Sequence, residues 1–394
     1  MRIIYWAGIR IEKSGGPSRH VLSLLREFVR RGHRVVLFAR SIPDSVCGGL
    51  SAIFAVPERI LGIRIPQRCT RQAHRILGHI VTALFRPDVI YQRDRPFDNV
   101  PLELSRVWRI PVVIEVNGWA PRDLGLATGN ERLVQKAIAA LTLRYQHAHA
   151  IIASSPGLRD LIVASTSVDP ERVFHVNNGV DIDGFRPPVP YKPRVSGDII
   201  VGFVGGLHVN HDVSTILKAI SLLRASNYPI ELRFVSYYPD ISVCQDEAIA
   251  LGVDSCVRFV TGVQHDQIPK HLWEMDIALA VFTRSCIEQT KSIEAAMKLW
   301  EYWASQRPVI ATDVPSSYSY IHHLERRYLA VEPEDPQALA QAIKTIVDNP
   351  DLATELALNG YHYVQKGHSW ADRAEQVESI LKNVVSSFHA RPLL

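Results

Sequence analysis

"MRIIYWAGIRIEKSGGPSRHVLSLLREFVRRGHRVVLFAR", residues 1–40, decides the fold. The run "RIIYWAG" (2–8) is apolar and short enough for a buried strand. "IRIEKSGGPSRH" (9–20) is rich in turn residues. "VLSLLREFVRRG" (21–32) sets Val21, Leu24, Leu25 and Phe28 on one helical face, and Gly32 stops it. "HRVVLFAR" (33–40) is a second buried run. Strand, helix and strand make a βαβ unit, which implies a parallel sheet.

The alternation continues outward. "PDVIYQR" (87–93), "IPVVIEVNG" (110–118), "AIIASS" (150–155) and "RVFHVNNG" (172–179) read as strands, with helices at "NERLVQKAIAALTLRYQHA" (130–148) and "PGLRDLIVAS" (156–165). "VDIDGFRPPVPYKPRVSGD" (180–198) breaks the pattern, because four prolines without periodicity mark a linker. The scheme then restarts. Strands are expected at "IIVGFVGG" (199–206), "IELRFVS" (230–236), "VRFVTG" (257–262), "DIALAV" (276–281) and "RPVIATD" (307–313). Helices are expected at 213–226, 267–275, 294–305 and 336–349, with a last helical stretch ending near 388. The reading is two Rossmann-like, doubly wound α/β domains with parallel sheets, facing across a cleft. The expected boundaries are 1–188, 189–368, and a C-terminal helix over 369–394 that returns to the first domain. In such sheets ligands sit outside the carboxyl ends of the strands, so the cleft is the default site.

Composition is consistent with this. Of the 394 residues, 47% are apolar and 21% charged, as in ordinary globular proteins. No apolar run reaches the roughly 18 residues a membrane helix needs, and the N-terminus reads as a strand rather than a signal peptide. Five scattered cysteines without a CxxC predict reduced thiols in a cytosolic protein and argue against a zinc site. Residues 1–190 carry 26 Lys and Arg against 16 Asp and Glu, whereas the remainder carries 18 against 24. The two halves therefore suit different partners. Much of the basic excess lies at Arg59, Arg64, Arg68, Arg71 and Arg75, among apolar residues. That segment reads either as a solvated helix face or as a surface for anionic lipid or a phosphate-bearing acceptor.

The candidate chemistry lies at strand ends. Gly15 and Gly16 stand between the first strand and its helix, where the backbone approaches a ligand closely and the helix N-terminus favours an anion; a tight turn is the alternative. Gly205 and Gly206 occupy the same place in the second half, with His211 near the next helix start. No GxGxxG, Walker loop, HExxH or GxSxG occurs, which disfavours dinucleotide oxidoreductases and hydrolases of those types. "DID" (181–183) lies in the linker and is set aside as a metal site. In "AMKLWEYWASQRPVIATD" (295–312), a helix over 294–304 would place Glu294, Lys298 and Glu301 on one stripe beside Ile293, Met297, Trp300 and Ala304. Such a stripe is either an exposed ion pair or a cleft face. In a cleft, the carboxylate would accept from ribose hydroxyls and the lysine would pair with phosphate.

In order, these segments resemble the retaining glycosyltransferases of the GT-B fold, family 4. "GGPSRHVLSLLREFVRRGHRVVLF" is similar to that family's glycine-pair loop, helix and strand. "HVNNGVDIDGFRPP" resembles its entry to the linker, and "KLWEYWASQRPVIATDVPS" its donor-site helix and strand. The resemblance covers nearly the whole chain. It implies a sugar transferred from a nucleoside-diphosphate sugar to an acceptor hydroxyl with retained configuration. That acceptor would be a sugar, a lipid-linked molecule or a small molecule. No metal, cofactor or nucleic acid is implied. It makes Glu301 the ribose acid and Lys298 the lysine at the diphosphate, with Gly15 and Gly16 over the donor phosphates and acceptor. The chain departs from the family at several positions. Ile293 stands where many members have a second acid, and Glu294 is one residue off. Gly206 and His211 replace an Arg and a Lys, so helix-end amides, Lys298 and a protonated His211 are expected to carry the diphosphate. Asn117 stands for a histidine near the sugar, and Gln306 for a glycine. The basic first half predicts a cytoplasmic protein with peripheral contact at the anionic inner face of a membrane. A non-catalytic homologue that binds a glycan or partner transferase, and a nucleotide-sugar hydrolase or epimerase of the same architecture, are the alternatives.

Overall fold

A computed structural model describes residues 1–12, 15–42, 52–55, 59–60, 63–64, 67–207, 210–290, 296–312 and 325–390. The chain divides into two compact units, one formed by Met1–Asn177 with Trp370–Leu394 and the other by Asn178–Ser369.

The first unit carries strands β1 (Arg2–Trp6), β2 (Arg34–Ala39), β3 (Ala52–Ala55), a short antiparallel hairpin β4 (Arg59–Ile60) and β5 (Ile63–Arg64), then β6 (Val89–Arg93), β7 (Val112–Val116), β8 (Ala150–Ala153) and β9 (Val173–His175). The hairpin apart, these form one sheet in the order β3-β2-β1-β6-β7-β8-β9, parallel at every pairing. The order reverses between β1 and β6. Successive strand side chains point to opposite faces. Ile4 and Trp6 therefore join a core with Val81, Leu104 and Leu141, while Ile3 and Tyr5 join another with Val21, Leu24 and Phe28. The helix Gly16–Arg30 supplies those last three residues. The final helix, Trp370–Ala390, buries Ala374, Val377 and Leu381 in the same core. Its Arg373 donates to the carbonyls of Val176 and Asn177 and pairs with the buried Glu115, which also accepts from His20 Nε2 at 2.7 Å. Burial, first, holds His20 at about 4, so it is neutral there despite the carboxylate.

The second unit carries β10 (Ile199–Val204), β11 (Ile230–Val235), β12 (Val257–Val260), β13 (Ile277–Ala280), β14 (Val309–Thr312) and β15 (Leu329–Val331). They form a parallel sheet ordered β12-β11-β10-β13-β14-β15, reversing between β10 and β13. Helix Val213–Ala225 packs on one face and helix Met297–Ala304 on the other.

The units part at 177/178, earlier than the expected 188/189. The cause is packing. Phe185, in a short helix Ile182–Phe185, is buried with Trp300 and Leu272, and its carbonyl accepts from the Trp273 indole at 2.9 Å. Asp181 caps that helix through Gly184 N, and Asp183 pairs with Arg186. The proline-rich segment is also tied down. Tyr191 N donates to Gln306 Oε1, and Arg194 pairs with Asp276 at 2.7 Å. Gln306, with φ 52°, sits in the backbone region that favours the family's usual glycine, and its side chain makes that tie.

Candidate active site

In the second unit the carboxyl end of β10 runs into Gly205 and Gly206. Gly205 has φ 137°, and a Cβ there would lie 3.0 Å from Lys298 Nζ, so only glycine suits the position. Tyr302 accepts from Val204 N at 2.9 Å and donates to Leu279 O at 3.2 Å, stapling the ends of β10 and β13 to helix Met297–Ala304. Residues 210–212 then cross to 281–283. Thr283 N donates to Asn210 O, and His211 bridges to Phe282. Asp212 caps the next helix through Thr215 N.

These ties gather an aromatic box around one amine. Lys298 Nζ lies 3.7 Å from the centroid of the Phe203 ring and 5.5 Å from that of Phe282, and 3.1 Å from His211 Nε2. His211 Nδ1 is 2.6 Å from Gly206 O. A carbonyl only accepts, so Nδ1 carries a proton. No described carboxylate lies within ion-pair distance of Lys298. Burial, opposed by Glu301 and then Cys286, holds its pKa well below the usual lysine value.

Glu301 lies three residues on, at one helical turn's spacing. It does not pair with Lys298. Its Oε1 takes His265 Nε2 at 2.7 Å, and both side chains are largely buried. Sequence reasoning missed His265. Its only signal was its place beyond β12, again at a carboxyl end. The opposite helix face, Trp300 and Ala304, is fully buried. Glu294 and Ile293 lie outside the described residues, and the helix is shorter than expected. Ala296 is extended (φ −81°, ψ 108°) and Met297 begins the helix, so helical spacing does not link Glu294 to Lys298. The box thus stands where the second sheet reverses, as ligand sites do in open α/β sheets.

The other expected residues belong to the first unit. Gly15 precedes helix Gly16–Arg30 with φ 106°, and no side chain caps that helix. Asn117 follows β7, and its buried Nδ2 has no described partner.

Two family profiles match the chain: "Glycosyltransferase Family 4" over residues 14–183 and "Glycosyl transferases group 1" over residues 198–349. The chain is 21% identical over 399 residues to the D-inositol 3-phosphate glycosyltransferase 1 of Catenulispora acidiphila, covering 96% of this chain and 93% of that protein. It is 27% identical over 254 residues to the alpha-maltose-1-phosphate synthase of Mycolicibacterium smegmatis, covering 60% and 64%. In structure it is similar to the sucrose-phosphate synthase of Thermosynechococcus elongatus, with TM-score 0.75, 17% identity and coverage of 98% and 99%. It is also similar to Anabaena HepE in complex with UDP and glucose, with TM-score 0.74, 15% identity and coverage of 97% and 100%. These relatives favour transfer over a non-catalytic role. Two Rossmann-like sheets, each reversing beside its first strand, and profiles that together take in most of the sequence lead to one assignment: the chain belongs to the GT-B glycosyltransferases.

Proposed function

We propose that this glycosyltransferase takes its sugar from a nucleoside-diphosphate sugar held in the second unit and transfers it with retention of configuration. The observation that carries the reading is Lys298: a desolvated amine between two rings, without a described carboxylate, at the sheet's reversal. An incoming diphosphate supplies the missing counter-charge and raises the amine's pKa. In the transition state the leaving diphosphate gathers negative charge, and a preorganised ammonium stabilises that charge more than the ground state. The amide of Gly206 completes the phosphate contacts, and His211 positions the Lys298 amine. Glu301, oriented by His265, accepts from the ribose hydroxyls. Gly15, Gly16 and Asn117 serve the sugar and the acceptor from the first unit, and the leaving phosphate takes the acceptor's proton.

Incubation with a panel of nucleotide sugars and acceptors, read by proton NMR of the new anomeric centre, tests this. Retention with loss of turnover in Lys298→Met is expected. Inverted product, or an unimpaired variant, refutes it.

Peripheral contact with an anionic membrane also belongs to this reading. On helix Gln67–Phe85, Ile76, Ile80 and Leu84 are exposed on one face at four-residue spacing. Among the described residues no helix is long and apolar enough to cross a membrane. Sedimentation with anionic but not neutral vesicles is expected, and equal recovery with both contradicts it.

A further inference from the structure

The first unit buries a charged cluster that the transfer chemistry above does not use. Glu115 on β7, His20 on helix Gly16–Arg30 and Arg373 on helix Trp370–Ala390 are all buried. One carboxylate oxygen, Glu115 Oε1, accepts from both His20 Nε2 and Arg373 Nη2. Arg373 turns its other terminal nitrogen to the carbonyls of Val176, at 2.6 Å, and Asn177. The Trp370 ring meets His20 edge to face at 5.3 Å. Arg93 is the register partner of Glu115 on β6.

Such a cluster is a poor device for stability. Taking a carboxylate and a guanidinium out of water is costly, and apolar residues of the same volume often hold a core as well or better. What the cluster adds is direction, because a guanidinium fork and a carboxylate meet in few arrangements. The segments it joins also carry the first unit's candidate site. His20 lies four residues, one helical turn, beyond Gly16. Glu115 lies two residues before Asn117, the spacing that returns to the same side of a strand. Val176 and Asn177 follow β9 directly and end this stretch of the unit.

The same two helices are joined again at the other end of helix Gly16–Arg30. Arg31, just past that helix, pairs with Glu378 at 2.6 Å, and Lys382 reaches the same residue at 2.6 Å. The two clamps therefore differ in which end of the helix they hold, and only the first holds the turn that begins at the glycine pair.

We infer that Glu115 is a positioning residue for glycosyl transfer: through His20 it fixes the glycine-pair loop, along its own strand it fixes Asn117 against that loop, and Arg373 locks the carboxylate in place. The inference rests on the reading that Gly15, Gly16 and Asn117 serve the sugar and the acceptor.

Three variants of the full chain test it. His20→Phe keeps a ring against Trp370 and removes the donor to Glu115, leaving the Arg373 pair in place. His20→Gln keeps a donor. Glu378→Gln loosens the same helix pair at its other end. Amide hydrogen exchange, read by mass spectrometry on peptides over residues 9–22 and 112–120, needs no substrate. In His20→Phe, exchange should rise about tenfold in both peptides. His20→Gln should stay close to the parent, and Glu378→Gln should leave both peptides unchanged. With the donor and acceptor that the panel above selects, kcat should fall about tenfold in His20→Phe while nucleoside-diphosphate affinity stays the same. Glu378→Gln should keep the parent's kcat even where its Tm is the lower of the two. His20→Leu, smaller and also without a donor, repeats each measurement if the Phe variant does not fold. Unchanged exchange in both peptides, or an equal loss of kcat in Glu378→Gln, overturns the positioning role. Faster exchange with undiminished kcat refutes the reading that the loop and Asn117 serve transfer, and the inference falls with it.

Discussion

If Glu301 holds the donor ribose, removing its carboxylate should erase the enzyme's ability to tell ribose from deoxyribose. Oε1 is shared with His265, while Oε2 has no described partner. A hydroxyl bound to Oε2 should contribute about 2 kcal/mol, within the usual range for hydrogen bonds to charged groups, and one sharing Oε1 about 1 kcal/mol. Glu301→Ala should therefore weaken nucleoside-diphosphate binding by roughly 100-fold. The 2′-deoxy and 3′-deoxy nucleotides should each bind the parent less tightly than the ribonucleotide. In Glu301→Ala the three should bind within about twofold of one another. The double-mutant cycle isolates the coupling from any general loosening of the fold. Glu301→Gln sharpens the test. Its amide oxygen still accepts from His265, but its NH2 turns a donor toward hydroxyls that need an acceptor, so it should lose discrimination as Ala does. Calorimetric titration of the four ligand-variant corners measures the coupling. A coupling below about 0.5 kcal/mol refutes the ribose contact.

Three further outcomes follow from the geometry. Gly205→Ala should fold with a modest loss of Tm. Its strained backbone costs about 1–3 kcal/mol, and its Cβ at 3.0 Å displaces Lys298, so diphosphate binding should weaken at least about tenfold; unchanged binding refutes the close approach. His265→Ala should raise the donor KM several-fold while leaving kcat at saturating donor unchanged, since His265 orients Glu301 without touching the reacting atoms; a fall in kcat alone contradicts that role. His20 is held at about 4 against 6.5 in the unfolded chain. Between those values the unfolded state binds the extra proton, so stability falls as pH drops through this window, by roughly 3 kcal/mol in all. Urea unfolding of the parent and His20→Gln at pH 7 and pH 4 should show the variant losing less; identical pH profiles refute the assignment.

How far the sequence foretold this depends on the kind of signal. The strands were legible because continuous apolar runs between turn residues have few other uses in an alternating α/β chain. Lys298 and Glu301 were legible as a pair at helical spacing. His265 was not, because it comes from a separate strand end that only the parallel topology brings to the helix. Tyr302 carries no signal in the sequence, yet its hydroxyl ties β10 and β13 to the helix that carries Lys298. The domain boundary was misplaced because prolines mark irregular backbone, not a lack of packing, and Phe185 and Tyr191 anchor that segment to the second unit. The expected helix over 294–304 failed at its start. Periodicity continued through Ala296, but an extended residue there ends the pattern. Gln306 is the reverse case, a residue whose family norm is glycine and whose positive φ is retained while its side chain gains a new hydrogen bond.

The amine between Phe203 and Phe282 is the place to test the whole account. In the free protein burial disfavours the charged form of Lys298, and a diphosphate beside it favours that charge. Calorimetric titration of a nucleoside diphosphate should show Lys298→Met binding at least about tenfold more weakly than the parent. Equal affinity in the two proteins would place the diphosphate elsewhere and contradict the account.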